Sequence, residues 1–194
     1  MAIIRTFIAA ELSGTSLTWI TSVQAELKNL VTPGVIKLTP LEQVHITLAF
    51  LGDVDTCMIP ELVSAMDNCA IKLPIHISID RIGQFSRNGA VAVIWAGIKQ
   101  NMLLDDLYIE LSKRISPLVK LEKSAFKAHI TLARVRPEID SASNARLIEF
   151  TNSNQEALPV QECFAEIVLF RSELKPSGPI YTKLHTIKRR DRIQ

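Results

Sequence analysis

Cysteine is scarce in this 194-residue chain, and its three copies, Cys57, Cys69 and Cys163, fall at spacings that suit no metal site. Their odd number favours a reducing compartment with buried thiols over a disulfide framework. Long hydrophobic runs are missing too. No window approaches the roughly twenty apolar residues of a membrane span, and the apolar stretch between Arg5 and Glu11 is too short for a secretory core. Charge of one sign is not in excess. A net charge of +2 provides no broad surface for coating nucleic acid, so any anion binding must be local. No histidine–carboxylate cluster is present, which favours a metal-free mechanism, and no cofactor is expected. No low-complexity linker divides the chain. These absences leave a cytoplasmic protein, expected as a monomer, with residues 1–194 forming a single two-lobed domain. Its 47% hydrophobic content is ample for a core.

What the chain does have is a repeat. The pentapeptide His-Ile-Thr-Leu-Ala occurs at His45–Ala49 and again at His129–Ala133. In an extended segment side chains alternate faces, so His45 and Thr47 point one way while Val44, Ile46 and Leu48 point the other. His129 and Thr131 repeat this against Ile130 and Leu132. Each copy reads as a strand with an apolar back and an imidazole-plus-hydroxyl front.

The repetition extends outward. Leu73-Pro74-Ile75 returns as Leu158-Pro159-Val160, Ile82 matches Ile167, and Phe85 matches Phe170. Gly89-Ala90-Val91 has a counterpart in Gly178-Pro179-Ile180 after a longer loop. Leu17, Ile20, Leu27 and Leu30 share one helical face, as do Leu104, Leu107, Leu111, Ile115 and Leu118. Pro33-Gly34 closes the first of these helices, and Pro117 falls near the end of the second. The chain therefore reads as two diverged copies of one unit: helix, His-x-Thr strand, helix, hairpin.

Patterning places strands at Ile3–Ala9, Val35–Leu38, Val44–Leu51, Ile75–Phe85, Val91–Ile98, His129–Val135, Val160–Arg171 and Ile180–Lys188. Helices are expected at Ser16–Val31, Pro60–Leu73, Met102–Val119 and Ser141–Thr151. The Asn88-Gly89 pair predicts a tight antiparallel hairpin. The fold expected is α+β and bilobal: two antiparallel sheets related by a pseudo-twofold duplication, helices outside, and a central cleft. The basic run from Lys188 to Arg192 reads as a solvated tail.

Two imidazoles and two hydroxyls facing one cleft suit phosphodiester chemistry. One imidazole can deprotonate the attacking oxygen while the other protonates the leaving oxygen. Thr47 and Thr131 would hydrogen-bond the non-bridging oxygens as their charge grows. Arg134, three positions past Thr131, would add permanent positive charge, although Arg136 and Lys127 lie nearby. To serve one phosphate, the two reacting nitrogens must lie within roughly 8–9 Å of each other. His76 reads as an outward strand residue, with Gln161 at the matching position of the second half. His185 has no partner motif. Phe7 and Phe50 suit either base stacking or core packing.

On these residues the chain resembles the two-histidine phosphoesterase superfamily, specifically its RNA 2′,3′-cyclic phosphodiesterase branch, historically called 2′–5′ RNA ligase. The resemblance runs nearly end to end. It is carried by Arg5-Thr6-Phe7-Ile8-Ala9, by Val44–Gly52, by Ala128–Arg134, and by Leu169–Leu174 followed by Gly178 and Tyr181. It implies a bilobal fold with both motifs in one cleft, and hydrolysis of RNA 2′,3′-cyclic phosphate ends to a 2′-phosphomonoester. It further implies that His45 is the proton donor and His129 the acceptor. Ala128 departs from the proline that relatives often carry before the second histidine. Other readings are ligation by the reverse reaction, a non-catalytic RNA- or nucleotide-binding module, and a metal-dependent hydrolase. Loss of a histidine would favour the binding module, and both are present. The hydrolase would want carboxylates near each histidine, and the nearest is Asp53.

Overall fold

Local chemistry sets where the elements of this chain begin and stop. In the computed structural model, which describes residues 2–121, 126–154, 160–176 and 178–189, the chain runs β1 (Ile3–Glu11), α1 (Gly14–Leu30), β2 (Ile36–Leu38), β3 (His45–Asp55), α2 (Ile59–Asp67), β4 (Ile75–Arg87) and β5 (Ala90–Ile98). It continues α3 (Met102–Ile115), β6 (His129–Val135), α4 (Ser141–Ser153), β7 (Val160–Phe164), β8 (Glu166–Lys175) and β9 (Gly178–Lys188). Asn101 caps α3 by accepting from the Leu104 amide at 3.1 Å, and Asp140 caps α4 by accepting from Ser143 at 2.8 Å. The β4–β5 turn uses positive φ at both Asn88 (52°) and Gly89 (80°), as a two-residue turn with right-handed strand twist demands.

The expected strands pair into one continuous antiparallel sheet. Among the described residues its order is β7-β4-β5-β6-β3-β1-β8-β9, with β2 added on β6. The two antiparallel sheets anticipated from the repeat are the halves of this sheet. They join between β3 and β6 through a single residue pair, Ile46 opposite Ile130. Helices α1 and α4 pack on the half containing β4–β7, while α2 and α3 pack together and reach β9 and β3. The main core lies between sheet and helices, with Ile8, Ile46, Leu107, Ile130 and Leu169 all at 0% exposure. A smaller apolar cluster of Phe7, Ala9, Val168 and Phe170 lies apart from it, so β1 and β8 are buried on both faces.

Several expectations need correction. The stretch Val160–Arg171 is two strands, broken at Ala165, because β7 pairs with β4 while β8 pairs with β1 at the far side of the sheet. The match of Gly89-Ala90-Val91 with Gly178-Pro179-Ile180 does not extend to position: β5 lies beside β6, whereas β9 takes the outer edge. The place corresponding to β5 is filled by β1. Helix α3 ends at Ile115, four residues short of the expected end. Pro117 has no N–H to continue the ladder, and the Ile115 carbonyl instead accepts from Leu118 and Val119. Helix α2 stops at Asp67 and gives way to a short 3-10 turn at Ala70–Lys72. Only Cys69 is buried; Cys57 and Cys163 are exposed, and all three are free thiols. His76 is exposed, with its Nε2 3.7 Å from the Cys163 sulfur, and His185 faces Asp67 at 3.4 Å. The Leu158-Pro159 match and the tail from residue 190 onward lie outside the described residues.

Candidate active site

Because Ile46 and Ile130 pair across the seam with both side chains in the core, the residues on either side of each must face the opposite way. Antiparallel register then sets His45 toward Thr131 and Thr47 toward His129. The two histidines form a diagonal pair, whose Cα atoms lie about 7–8 Å apart in a regular ladder. All five residues singled out from the sequence, His45, Thr47, His129, Thr131 and Arg134, line one cavity of about 480 Å³.

Each imidazole is held in the same way. Nδ1 of His45 lies 2.7 Å from the Gln43 carbonyl oxygen, and Nδ1 of His129 lies 2.7 Å from that of Lys127. A carbonyl only accepts, so each Nδ1 carries a proton and donates it. That fixes the tautomer and leaves Nε2 as the nitrogen that exchanges protons. Gln43 is itself anchored, its side-chain amide donating to the Pro179 carbonyl at 3.1 Å.

Aromatic rings pack against both imidazoles. His45 lies against Phe7 (centroids 5.0 Å) and meets Tyr181 edge-on (5.5 Å). His129 meets Phe85 edge-on at 5.1 Å and Trp95 at 6.3 Å. Trp95 reaches its place because Gly83, opposite it across the hairpin, and Gly97, two residues along its own strand, lack a Cβ. A Cβ on Gly83 would stand 2.3 Å from the indole, and one on Gly97 would stand 3.1 Å from it.

Charge in the cavity has one sign. Arg5, Lys37 and Arg134 line it, and no carboxylate does so among the described residues. Burial, then the neighbouring His129 and Arg134, holds His45 below the ordinary imidazole pKa, while the Gln43 carbonyl and Glu11 oppose that shift. Burial also raises the Tyr181 phenol, against the pull of Arg134. The site therefore suits a small anion that needs proton transfer on two sides. Among the described residues, no group of three or more histidine, cysteine or acidic side chains is placed to hold a metal ion.

A family model described as LigT like phosphoesterase matches residues 15–95. An RNA 2′,3′-cyclic phosphodiesterase from Methanocaldococcus jannaschii is 31% identical over 147 residues, covering 75% of this chain and 80% of that protein. The chain belongs to the LigT-like phosphoesterase family. A Methanothermobacter thermautotrophicus protein of the same name is 27% identical over 187 residues, covering 95% and 98% of the two chains. In fold, this LigT-like chain is similar to a crystal structure from Thermus thermophilus, with a TM-score of 0.78 at 24% identity over 97% of this chain and 100% of that one.

Sequence reasoning left several lining residues of the LigT-like cleft without a role. Arg5 comes from β1 and Lys37 from β2, both outside the two repeated motifs. Tyr181 was visible only as part of the C-terminal match. Arg136, a neighbour that competed with Arg134 in the sequence, is not among the lining residues, and neither is Asp53. Phe7 and Phe50 separate cleanly: Phe7 is 3% exposed under His45, whereas Phe50 is 52% exposed at the cleft.

Proposed function

We propose that this chain hydrolyses 2′,3′-cyclic phosphate at RNA ends to a 2′-phosphomonoester without a metal ion, His45 giving a proton and His129 taking one. The observation that carries this reading is the matched pair of imidazoles in one cationic cavity, each with Nδ1 tied to a backbone carbonyl. Water attacks phosphorus, and His129 Nε2 takes its proton. The bond from phosphorus to the 3′ oxygen breaks as His45 Nε2 protonates that oxygen. Burial keeps the unliganded His45 largely neutral, so its proton is taken up with the anionic phosphate, whose charge favours imidazolium. Thr47 and Thr131 hydrogen-bond the non-bridging oxygens, and Arg134 offsets their charge.

The relatives named RNA 2′,3′-cyclic phosphodiesterase support RNA as the substrate. No helix among the described residues is long and apolar enough to cross a membrane. Three free thiols suit a reducing compartment, and the chain is proposed to act in the cytoplasm as a monomer.

The test is turnover of an oligonucleotide ending in 2′,3′-cyclic phosphate, with the product identified. In excess chelator the rate should be unchanged and the product a 2′-phosphomonoester. Activity that disappears in chelator and returns with zinc or manganese would refute the mechanism. Thr47→Val and Thr131→Val keep side-chain shape and remove one hydroxyl each. Each is expected to lower kcat by about ten- to a hundredfold, less than either histidine, with the thermal transition little changed. A Thr131→Val enzyme with full kcat would remove that hydroxyl from phosphate binding.

A further inference from the structure

One corner of the catalytic cavity carries two cations side by side. β2 and β6 pair with Lys37 directly opposite Arg134, and both residues line the cavity. Like charges set opposite each other on a ladder repel. Arg134 reaches the cleft through a bulge. The β5–β6 register slips by one residue between Ile94 and Trp95, Leu132 and Ala133 are both buried, and Arg134 returns to the face of His129 and Thr131. Phe50 holds the equivalent position in the first copy, with Leu48 and Ala49 buried before it, so the paired cations belong to one copy of the repeat. Lys37 also reaches across to the other half of the sheet. A Cβ on Gly178 would stand 2.7 Å from its ammonium nitrogen, so glycine at the start of β9 leaves the room that the lysine uses. Gln43 ties the same segment down through the Pro179 carbonyl at 3.1 Å. The corner is thus walled by both halves. Its charge exceeds what one cyclic phosphate asks for, because that group is a diester with a single negative charge.

In an RNA 3′ end the nearest other phosphate is the one linked to the 5′ oxygen of the same nucleotide, one ribose away. We propose that Lys37, beside Arg134, holds this second phosphate, so that the site takes the end of an oligonucleotide in preference to a free nucleoside 2′,3′-cyclic phosphate. The inference rests on the phosphodiesterase reading for the place of the cyclic phosphate. An ammonium on a flexible stem meets a phosphate as a point charge and places no demand on the base. The contact is remote from the bond that breaks and is made equally before and during reaction, so its effect falls on KM and not on kcat.

The experiment compares ligands with and without a 5′ phosphate. Adenosine 2′-monophosphate and adenosine 2′,5′-bisphosphate are titrated calorimetrically into the intact protein, and adenosine 2′,3′-cyclic phosphate is assayed for turnover with its 5′ position free or phosphorylated. The 5′ phosphate is expected to tighten binding and lower KM by about tenfold, with a smaller gain at high salt. Lys37→Gln should pull both ratios toward one, and Lys37→Arg, which keeps the charge, should restore them. Lys37 is exposed, so both variants should fold. Equal affinity for the two nucleotides in the unmodified protein would overturn the proposal. So would a ratio that Lys37→Gln leaves intact, since Arg5 and Arg134 would then account for it. A ratio lost equally in Lys37→Arg would also overturn it, leaving Lys37 as a tie between the halves. Tighter bisphosphate binding that depends on Lys37, without turnover of either cyclic phosphate, would support the subsite and count against the phosphodiesterase reading alone.

Discussion

His129→Ala is expected to cut turnover of a cyclic-phosphate RNA end by about a hundred- to ten-thousand-fold, and His45→Ala by a similar factor. Neither imidazole is needed for the core, since both lie on the cleft face of strands whose buried side is Ile46, Leu48, Ile130 and Leu132. Loss of rate should therefore come with an unchanged denaturation midpoint. The double variant should fall far short of the product of the two factors, because one step uses both groups at once. The pH profile gives a second check. Burial holds His45 below the ordinary imidazole pKa, so in the free enzyme it gains its proton at lower pH than a free imidazole does. The acid limb of kcat/KM, set by the lower of the two pKa values, should accordingly lie below that of a free imidazole, and the alkaline limb, which reports the need for a protonated donor, should vanish in His45→Ala. The two limbs belong to the coupled pair, so their positions alone do not say which histidine is the acid. A single variant with near-normal turnover would reduce that histidine to a structural residue.

Phe7→Ala should destabilise the protein by about 3–5 kcal/mol, the usual cost of emptying a buried phenylalanine site. Phe7 is 3% exposed, stacks on Phe170 at 5.1 Å, meets Tyr181 edge-on at 4.9 Å and lies against the His45 ring. The cluster is small and separate from the main core, so few neighbours can move to close the void. Urea unfolding should show a lower midpoint with little change in slope. Activity should fall as well in the folded fraction, because His45 loses the ring beside it. Phe50→Ala, at an exposed position, should stay within about 0.5 kcal/mol of the unmodified protein. Equal stability of Phe7→Ala and the unmodified chain would mean that the cluster contributes little.

The site was legible because alternation in a strand is a strict rule. Once His45 and Thr47 share a face and Ile46 lies on the other, the repeat at His129 and Thr131 needs only an antiparallel seam to bring the two fronts together. The pair Ile46–Ile130 is that seam. The helices were legible for a related reason, their apolar faces recurring at helical spacing, although the end of α3 depended on the missing N–H of Pro117. Connectivity was not legible. Nothing in Val160–Arg171 distinguishes one long strand from two, because the break at Ala165 is decided by partners more than eighty residues away in sequence, β4 for one strand and β1 for the other. The room for Trp95 was equally hidden. Gly83 and Gly97 look like weak points within strands until the indole is seen lying against them.

The position of β1 between β3 and β8 bears on how the chain can be made. β1 is synthesised first, is apolar on both faces, and can meet β3 early, yet its other edge stays open until β8 emerges. At about 5–20 residues per second that wait is roughly ten to thirty seconds. Through it, the unpaired edge and the apolar faces of Phe7–Ala10 are available to a neighbouring nascent chain, the exposure that finished sheets avoid. The other half waits as well, since β7 closes it from the far end of the sequence. Neither copy of the repeat can complete its own sheet, so the duplicated unit visible in the sequence is not a unit of folding.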